Sequence, residues 1–385
     1  MNLRRSIAGF ALVLLTASST AVAREWQTFV DPLDNIFPAL ELATATMPPD
    51  PEEEDPSILG DQHGFIGVYV DGAPGTRFDL TIRIPGYARD SRLSGTLPRG
   101  VEGPFTLSPT IAWDFQALGQ VRQARPALVE FELALGNAPP EQRSQRVRLR
   151  SVNDVLYFID SEDDAEDLDF NWLFAAFVNE DHPIVDEILR DALATGIVES
   201  FSGYQAEDPD DVLAQVHAIW HVLQQRGIRY SSITRTSSEH GQLHSQHVRF
   251  LDESIAMAQA NCVDGTVLLA SILRKIDIHP VLVLVPGHMF LGFQLDEEGE
   301  EMAFLETTML GDVHEGRGQR LQQLRQGRQI AVNVEASLES FAAALDEGER
   351  QIEEAGDAFD DEDNLEYQFI DVQAAREAGV MPIVR

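Results

Sequence analysis

Cysteine and lysine are nearly missing from this 385-residue chain, which has one of each, Cys262 and Lys275. A lone cysteine cannot close an internal disulfide. That excludes a disulfide scaffold, and with it zinc modules built on four cysteines or on two cysteines and two histidines. Basic charge is also scarce, with 28 Lys+Arg against 64 Asp+Glu and a formal net charge of −36. Such a surface repels phosphate backbones and excludes a general nucleic-acid binder. Long apolar runs are few. The run from Ile7 to Leu15 is too short to cross a bilayer, and no other stretch reaches transmembrane length, so no membrane span is expected. What is present is a 44% hydrophobic composition, which suits a globular chain with a core, and a length that fits two or three domains.

The first 23 residues read as a signal peptide. Arg4 and Arg5 form its charged start, Ile7 to Leu15 its apolar run and Ala21-Val22-Ala23 a small-residue cleavage site. The expected location is the periplasm or the exterior. Arginine supplies 27 of the 28 basic side chains. Lysine depletion beside surplus carboxylate fits a surface adapted to high salt, where ions screen self-repulsion, and equally a drift in base composition toward arginine codons.

Residues 24–57, which end in the Pro-rich acidic run PPDPEEEDP (48–56), read as a linker or extended segment. Residues 58–160 carry short runs rich in Val, Ile, Leu and Phe: Phe65 to Val70, Phe78 to Ile84, Leu128 to Leu135, Val147 to Val152 and Val155 to Ile159. Asp71-Gly72, Pro85-Gly86, Gly136-Asn137 and Asn153-Asp154 punctuate them. That pattern predicts a β-sandwich-like domain, a possible docking surface for a partner. After the acidic break at 160–169 the period becomes helical, and 161–385 is expected to form an α+β domain with C-terminal helices. Helices are expected from Pro183, from Pro209 to Gln225, from Phe250 to Gln259 and within 317–355, with a strand over Tyr367 to Val372.

The core of that domain is 259–310. Asn261 is a good N-cap for a helix running to Lys275, which places Cys262 at the first helical position, where unpaired N–H groups and the helix dipole favour thiolate. Val281 to Val285 reads as an apolar strand. The Pro286-Gly287 turn delivers His288 to the start of the next strand, and Met302 to Thr307 reads as a third strand carrying Glu306. A sulfur nucleophile needs a base, and the base needs a partner to orient its ring. Cys262, His288 and Glu306 supply those three roles.

The stretch ANCVDGTVLLASILRKIDIHPVLVLVPGH resembles the Cys and His segments of the bacterial transglutaminase-like superfamily, whose fold is papain-like. The resemblance is close over about fifty residues and looser over 170–310. It implies Cys262 as nucleophile, His288 as base and Glu306 as orienting acid in an exported enzyme acting on an amide bond. The reaction would pass through a thioester acyl-enzyme and end in hydrolysis or acyl transfer, on a protein or peptide substrate and with no cofactor or metal. The family's third residue is usually Asp, so Asp312 is the alternative to Glu306, and Met289 follows the histidine where the family often has an aromatic residue, with Phe290 next.

Strand geometry tests the third role. A two-residue turn at Glu298-Gly299 pairs Leu291 with Glu306 and points His288 and Glu306 to opposite faces. A shift of one residue restores a shared face, so the 296–301 loop is expected to be irregular.

Other polar clusters carry weaker readings. His217 and His221 (HAIWH) lack the Glu of a metalloprotease helix and read as core or surface histidines. His240, His244 and His247 form a second metal-binding candidate. Gln246, Arg249 and Glu253 either line the cleft or form helix-spaced charge pairs. The Cys262 N–H is the simplest oxyanion donor, with Gln259 a side-chain candidate. Two other functions compete with an enzyme: a binding or assembly module with a vestigial site, and a metal-binding exported protein.

Overall fold

The computed structural model describes residues 26–48, 55–160, 167–232, 236–239, 242–311, 319–325, 332–361 and 364–384. The signal segment, His240 and Asp312 lie outside the described residues. The fold class is α+β, and the chain divides into two compact units.

The first unit draws on Met1–Phe170, Ser237–Ser245 and Ile383–Arg385. Its strands are β1 (Trp26–Val30), β2 (Asn35–Ile36), β3 (Ile58–Gly60), β4 (Ile66–Val70), β5 (Arg77–Arg83), β6 (Ser91–Thr96), β7 (Phe105–Ser108), β8 (Arg125–Leu135), β9 (Glu141–Leu149), β10 (Asp154–Ile159) and β11 (Leu168–Asp169), with short helices α1 (Pro38–Ala43) and α2 (Phe115–Gly119). One sheet has the order β1-β4-β7-β3 and another β2-β9-β8-β5-β6. Alternating side chains of both, among them Val68, Leu107, Leu80, Phe131 and Leu149, fill a single apolar core. Two sheets around one core are compatible with a sandwich-like unit.

The 24–57 linker is corrected. Residues 26–43 form β1, β2 and α1, β1 pairs with β4, and Trp26, Ile36, Phe37 and Leu40 are buried. The burial of their apolar side chains depends on partners distant in sequence. The strand expected at Val147 to Val152 instead runs from Glu141 to Leu149, paired along its length with β8, because its outward positions are charged and polar.

The second unit comprises Asn171–Thr236 and Gln246–Pro382. It opens with a buried 3₁₀ segment, Asn171–Phe177, followed by α3 (Pro183–Ala194) and α4 (Pro209–Gln225). The expected starts hold at Pro183 and Pro209, where His182 and Asp208 cap the helices through their side chains. A two-residue strand β12 (Arg229–Tyr230) follows. The chain then returns to the first unit. There β13 (Thr236–Glu239) and β14 (Leu243–His247) complete a sheet of order β11-β10-β14-β13. The mostly polar, His-rich run 231–247 gives little sign of this return.

Back in the second unit are α5 (Leu251–Met257), β15 (Gln259–Ala260), α6 (Cys262–Lys275), β16 (Pro280–Val285), β17 (His288–Gln294), β18 (Met302–Leu305), α7 (Gln319–Arg325), α8 (Val332–Ala355), β19 (Gln368–Asp371) and α9 (Val372–Glu377). The helix expected to reach Gln259 stops at Met257. Ala258 takes a left-handed φ of 50° there, and Gln259 and Ala260 turn into a strand parallel to β12.

The unit's main sheet is antiparallel with the order β18-β17-β16-β19. Val285 faces His288 across a two-residue turn whose Gly287 sits at φ 70°, a conformation glycine adopts without penalty. The 3.6-residue apolar stripe of α4 is buried, and its Trp220 packs on Phe341 of α8 at 6.0 Å between ring centroids. Among the described residues, no helix is long and apolar enough to cross a membrane.

Candidate active site

Cys262 is the first residue of α6 and is half-buried. The helix begins there because Asn261 and Asp264 cap it reciprocally. Asn261 Oδ1 accepts from the Asp264 N–H at 2.8 Å, and Asp264 Oδ2 accepts from the Asn261 N–H at 3.1 Å. Asp264 is fully buried and also binds Arg249, through its guanidinium at 2.5 Å and its backbone N–H at 2.8 Å. Arg249 therefore braces the start of α6. Glu253 accepts instead from the Phe250 N–H and caps α5, so the two residues do not form the helix-spaced pair the sequence allowed.

The third strand ends at Leu305, one residue short of Glu306. Glu306 leaves the sheet and caps a 3₁₀ turn, Thr307–Met309. The hairpin register is Leu291 opposite Leu305 and Gln294 opposite Met302, shifted by one residue from a tight turn at Glu298-Gly299. The cause is a wider loop. Leu295 N–H donates to the Glu301 carbonyl, and the Asp296 carboxylate accepts from the Glu300 and Glu301 N–H groups. The shift gives Glu306 the parity of Phe290 and His288.

His288 Nε2 lies 2.7 Å from Glu306 Oε2. Its ring also interacts with Cys262. The ring stacks on buried Phe290 at 6.1 Å between centroids. Burial opposes the imidazolium, but the hydrogen bonds to Cys262 and Glu306, with their charges, outweigh it and push His288 up to about 10. For Glu306 burial likewise favours the neutral acid. The His288 hydrogen bond and charge, with the Thr308 hydroxyl and N–H, overcome it and hold the carboxyl below its ordinary range.

These shifts have a testable consequence. A histidine raised from 6.5 to about 10 contributes stability that is fully present below 6.5 and lost as pH rises through about 10. The lowered Glu306 acts at the other end, stabilising above its ordinary 4.5 and losing that contribution in acid. Urea midpoints followed from about pH 8 to about pH 11 should fall more steeply for the native protein than for His288→Gln. Parallel curves would contradict the assignment.

Tyr230 was not singled out by the sequence. It pairs with Ala260 in the parallel β12–β15 ladder, two residues before Cys262, and is 45% exposed. Burial first, then the negative charges of Cys262 and Glu306, push its phenol up. Only the folded ladder brings it to the site, and a two-residue strand leaves no periodic signal.

Helix α8 closes over the acid. Gly348 faces β18 so tightly that a Cβ there would lie 2.5 Å from the Phe304 carbonyl carbon. Gly348→Ala is expected to push α8 off the strand and cost about 1–3 kcal/mol despite alanine's better helix propensity, measured by denaturant unfolding. A gain in stability would contradict that packing.

The other candidates fall elsewhere. His217 and His221 are buried core histidines, both on Ser337 Oγ, at 3.1 and 2.7 Å, with Gln225 at the far nitrogen of His221. His244 pairs with Asp160 at 2.7 Å. Among the described residues no group of three or more metal-ligating side chains assembles.

Comparison with known proteins gives no match: no family model, no curated protein and no solved structure is similar to the chain. The functional reading therefore rests on the geometry of Cys262, His288 and Glu306.

Proposed function

We propose that the chain is a cysteine-dependent enzyme of the transglutaminase-like type, acting on an amide bond of a protein or peptide. The observation that carries this reading is the relay itself. A half-buried thiol at a helix start interacts with a histidine whose Nε2 is held by a buried carboxylate.

In the reaction, the Cys262 sulfur attacks the amide carbon while its proton passes to His288. The tetrahedral oxyanion is met by the Cys262 N–H, one of the groups a helix start leaves without an intrahelical partner. Breaking the C–N bond sends the His288 proton to the leaving amine and leaves a thioester on Cys262. Water or a second amine then attacks the thioester, giving up its proton to His288, and sulfur leaves. Glu306 keeps the ring in the tautomer and orientation both transfers need. The 1–23 segment supports export to the periplasm or beyond, and the β-rich first unit is the part available to dock a partner.

Acyl-enzyme trapping tests the reading. The protein is mixed with the activated ester p-nitrophenyl acetate, quenched in acid and digested, and the Cys262 peptide is examined by mass spectrometry. An acetyl group that forms on Cys262 and then decays supports the reading. Acetyl only on surface hydroxyls, or a Cys262 adduct that never turns over, contradicts it and leaves a vestigial site.

A further inference from the structure

The carboxylate of Glu306 is 3% exposed and takes four donors. Oε1 accepts from the Thr308 N–H at 2.8 Å and the Thr308 hydroxyl at 2.5 Å. Oε2 accepts from His288 Nε2 at 2.7 Å and from the side-chain amide of Gln351 at 2.6 Å. Three of these contacts come from the loop and strand that carry the site. The fourth comes from α8, whose Gln351 lies 45 residues further along the chain.

The helix is placed for this contact. The Glu306 N–H donates to the Ala344 carbonyl at 3.0 Å, and Gly348 gives the close approach to Phe304. Ala344, Gly348 and Gln351 follow at i, i+4 and i+7, one stripe of the helix, so the same face that seats α8 on the strand aims the amide at the acid. The amide orientation follows from chemistry, because a carboxylate only accepts and Gln351 must therefore present its NH₂.

We propose that Gln351 is a positioning residue: from α8 it fixes the Glu306 carboxylate against His288 and keeps that carboxylate ionised. It touches neither sulfur nor substrate and acts through Glu306. Its consequence for Cys262 rests on the enzyme reading above.

Among the described residues the titratable groups around the relay are few. Cys262 and Glu306 face His288 directly, and Tyr230 lies in the field of both. On α8 itself, Arg350 is paired with Glu347 and Glu354 at the exposed side. The hydrogen bond stabilises the charged form of Glu306, so its loss must raise the carboxyl midpoint.

The test uses Gln351→Met, which keeps the bulk but cannot donate, and Gln351→Glu, which sets a second carboxylate beside the first. The Glu306 carboxyl is followed by carbon NMR, assigned by its loss in Glu306→Gln. The rate of Cys262 alkylation at neutral pH is measured alongside, and circular dichroism verifies the helix. Gln351→Met is expected to raise the Glu306 midpoint by about one pH unit, roughly tenfold in proton affinity. Gln351→Glu is expected to raise it further, an order that loss of packing alone would not produce. Midpoints equal to the native one in both variants overturn the proposal. If native Cys262 reacts no faster than a peptide thiol, the enzyme reading fails, while the Glu306 midpoints still decide the role of Gln351.

Discussion

His288→Ala slows acylation of Cys262 by an activated ester at neutral pH by about 10²- to 10⁴-fold, the range expected when a positioned acid–base group is removed. The ring is held by the buried acid and interacts with the sulfur. Without it the thiol must give its proton to water, and Glu306 is left in a buried position without its cationic partner. Glu306→Gln is expected to follow the same direction with a smaller loss, since an amide can hold the ring but not its charge. The measurement is the pseudo-first-order rate of acetyl appearance on the Cys262 peptide. A loss smaller than about threefold in His288→Ala would mean that the histidine plays no part in proton transfer.

The second large effect is on stability. Asp264→Ala is expected to cost about 3–5 kcal/mol, because it strips the partner from a mostly buried arginine. The Arg249 side chain is 14% exposed, and Asp264 receives its guanidinium and its N–H. The Asn261 N–H loses its acceptor too, so the cap that starts α6 at Cys262 is undone at the same time. Denaturant unfolding gives the value, and Arg249→Met with Asp264→Ala tests the cause. The double variant should recover part of the loss, because the stranded charge goes with the arginine. A single-variant cost below about 1 kcal/mol would contradict the role given to the pair.

Where the determinants are local, the sequence was a good guide. Asn261 marks the start of α6 and Pro209 the start of α4, because capping and proline chemistry act within one turn. The hairpin was legible to within one residue. Strand parity showed that a tight turn would separate His288 from Glu306, and the structure has the irregular loop. Which residue organises it was hidden, since DEEGEE offers several carboxylates and only the fold selects Asp296.

Asp264 was within reach, as Asn261 followed three residues later by an acid is a capping-box pattern, but its bond to Arg249 depends on how α5 packs. Gln351, Gly348 and Tyr230 carried no local signal. Each meets the site through contacts made only in the folded state. The same holds for β1, whose partner strand β4 lies some forty residues away, and for the polar return at 237–245.

The central claim is that His288 takes the Cys262 proton as the sulfur attacks. It is tested most directly by the rate of iodoacetamide labelling of Cys262 at neutral pH. The native protein should label faster than a peptide thiol, and His288→Ala at least about tenfold more slowly than the native protein. Equal rates in the two proteins would contradict the account.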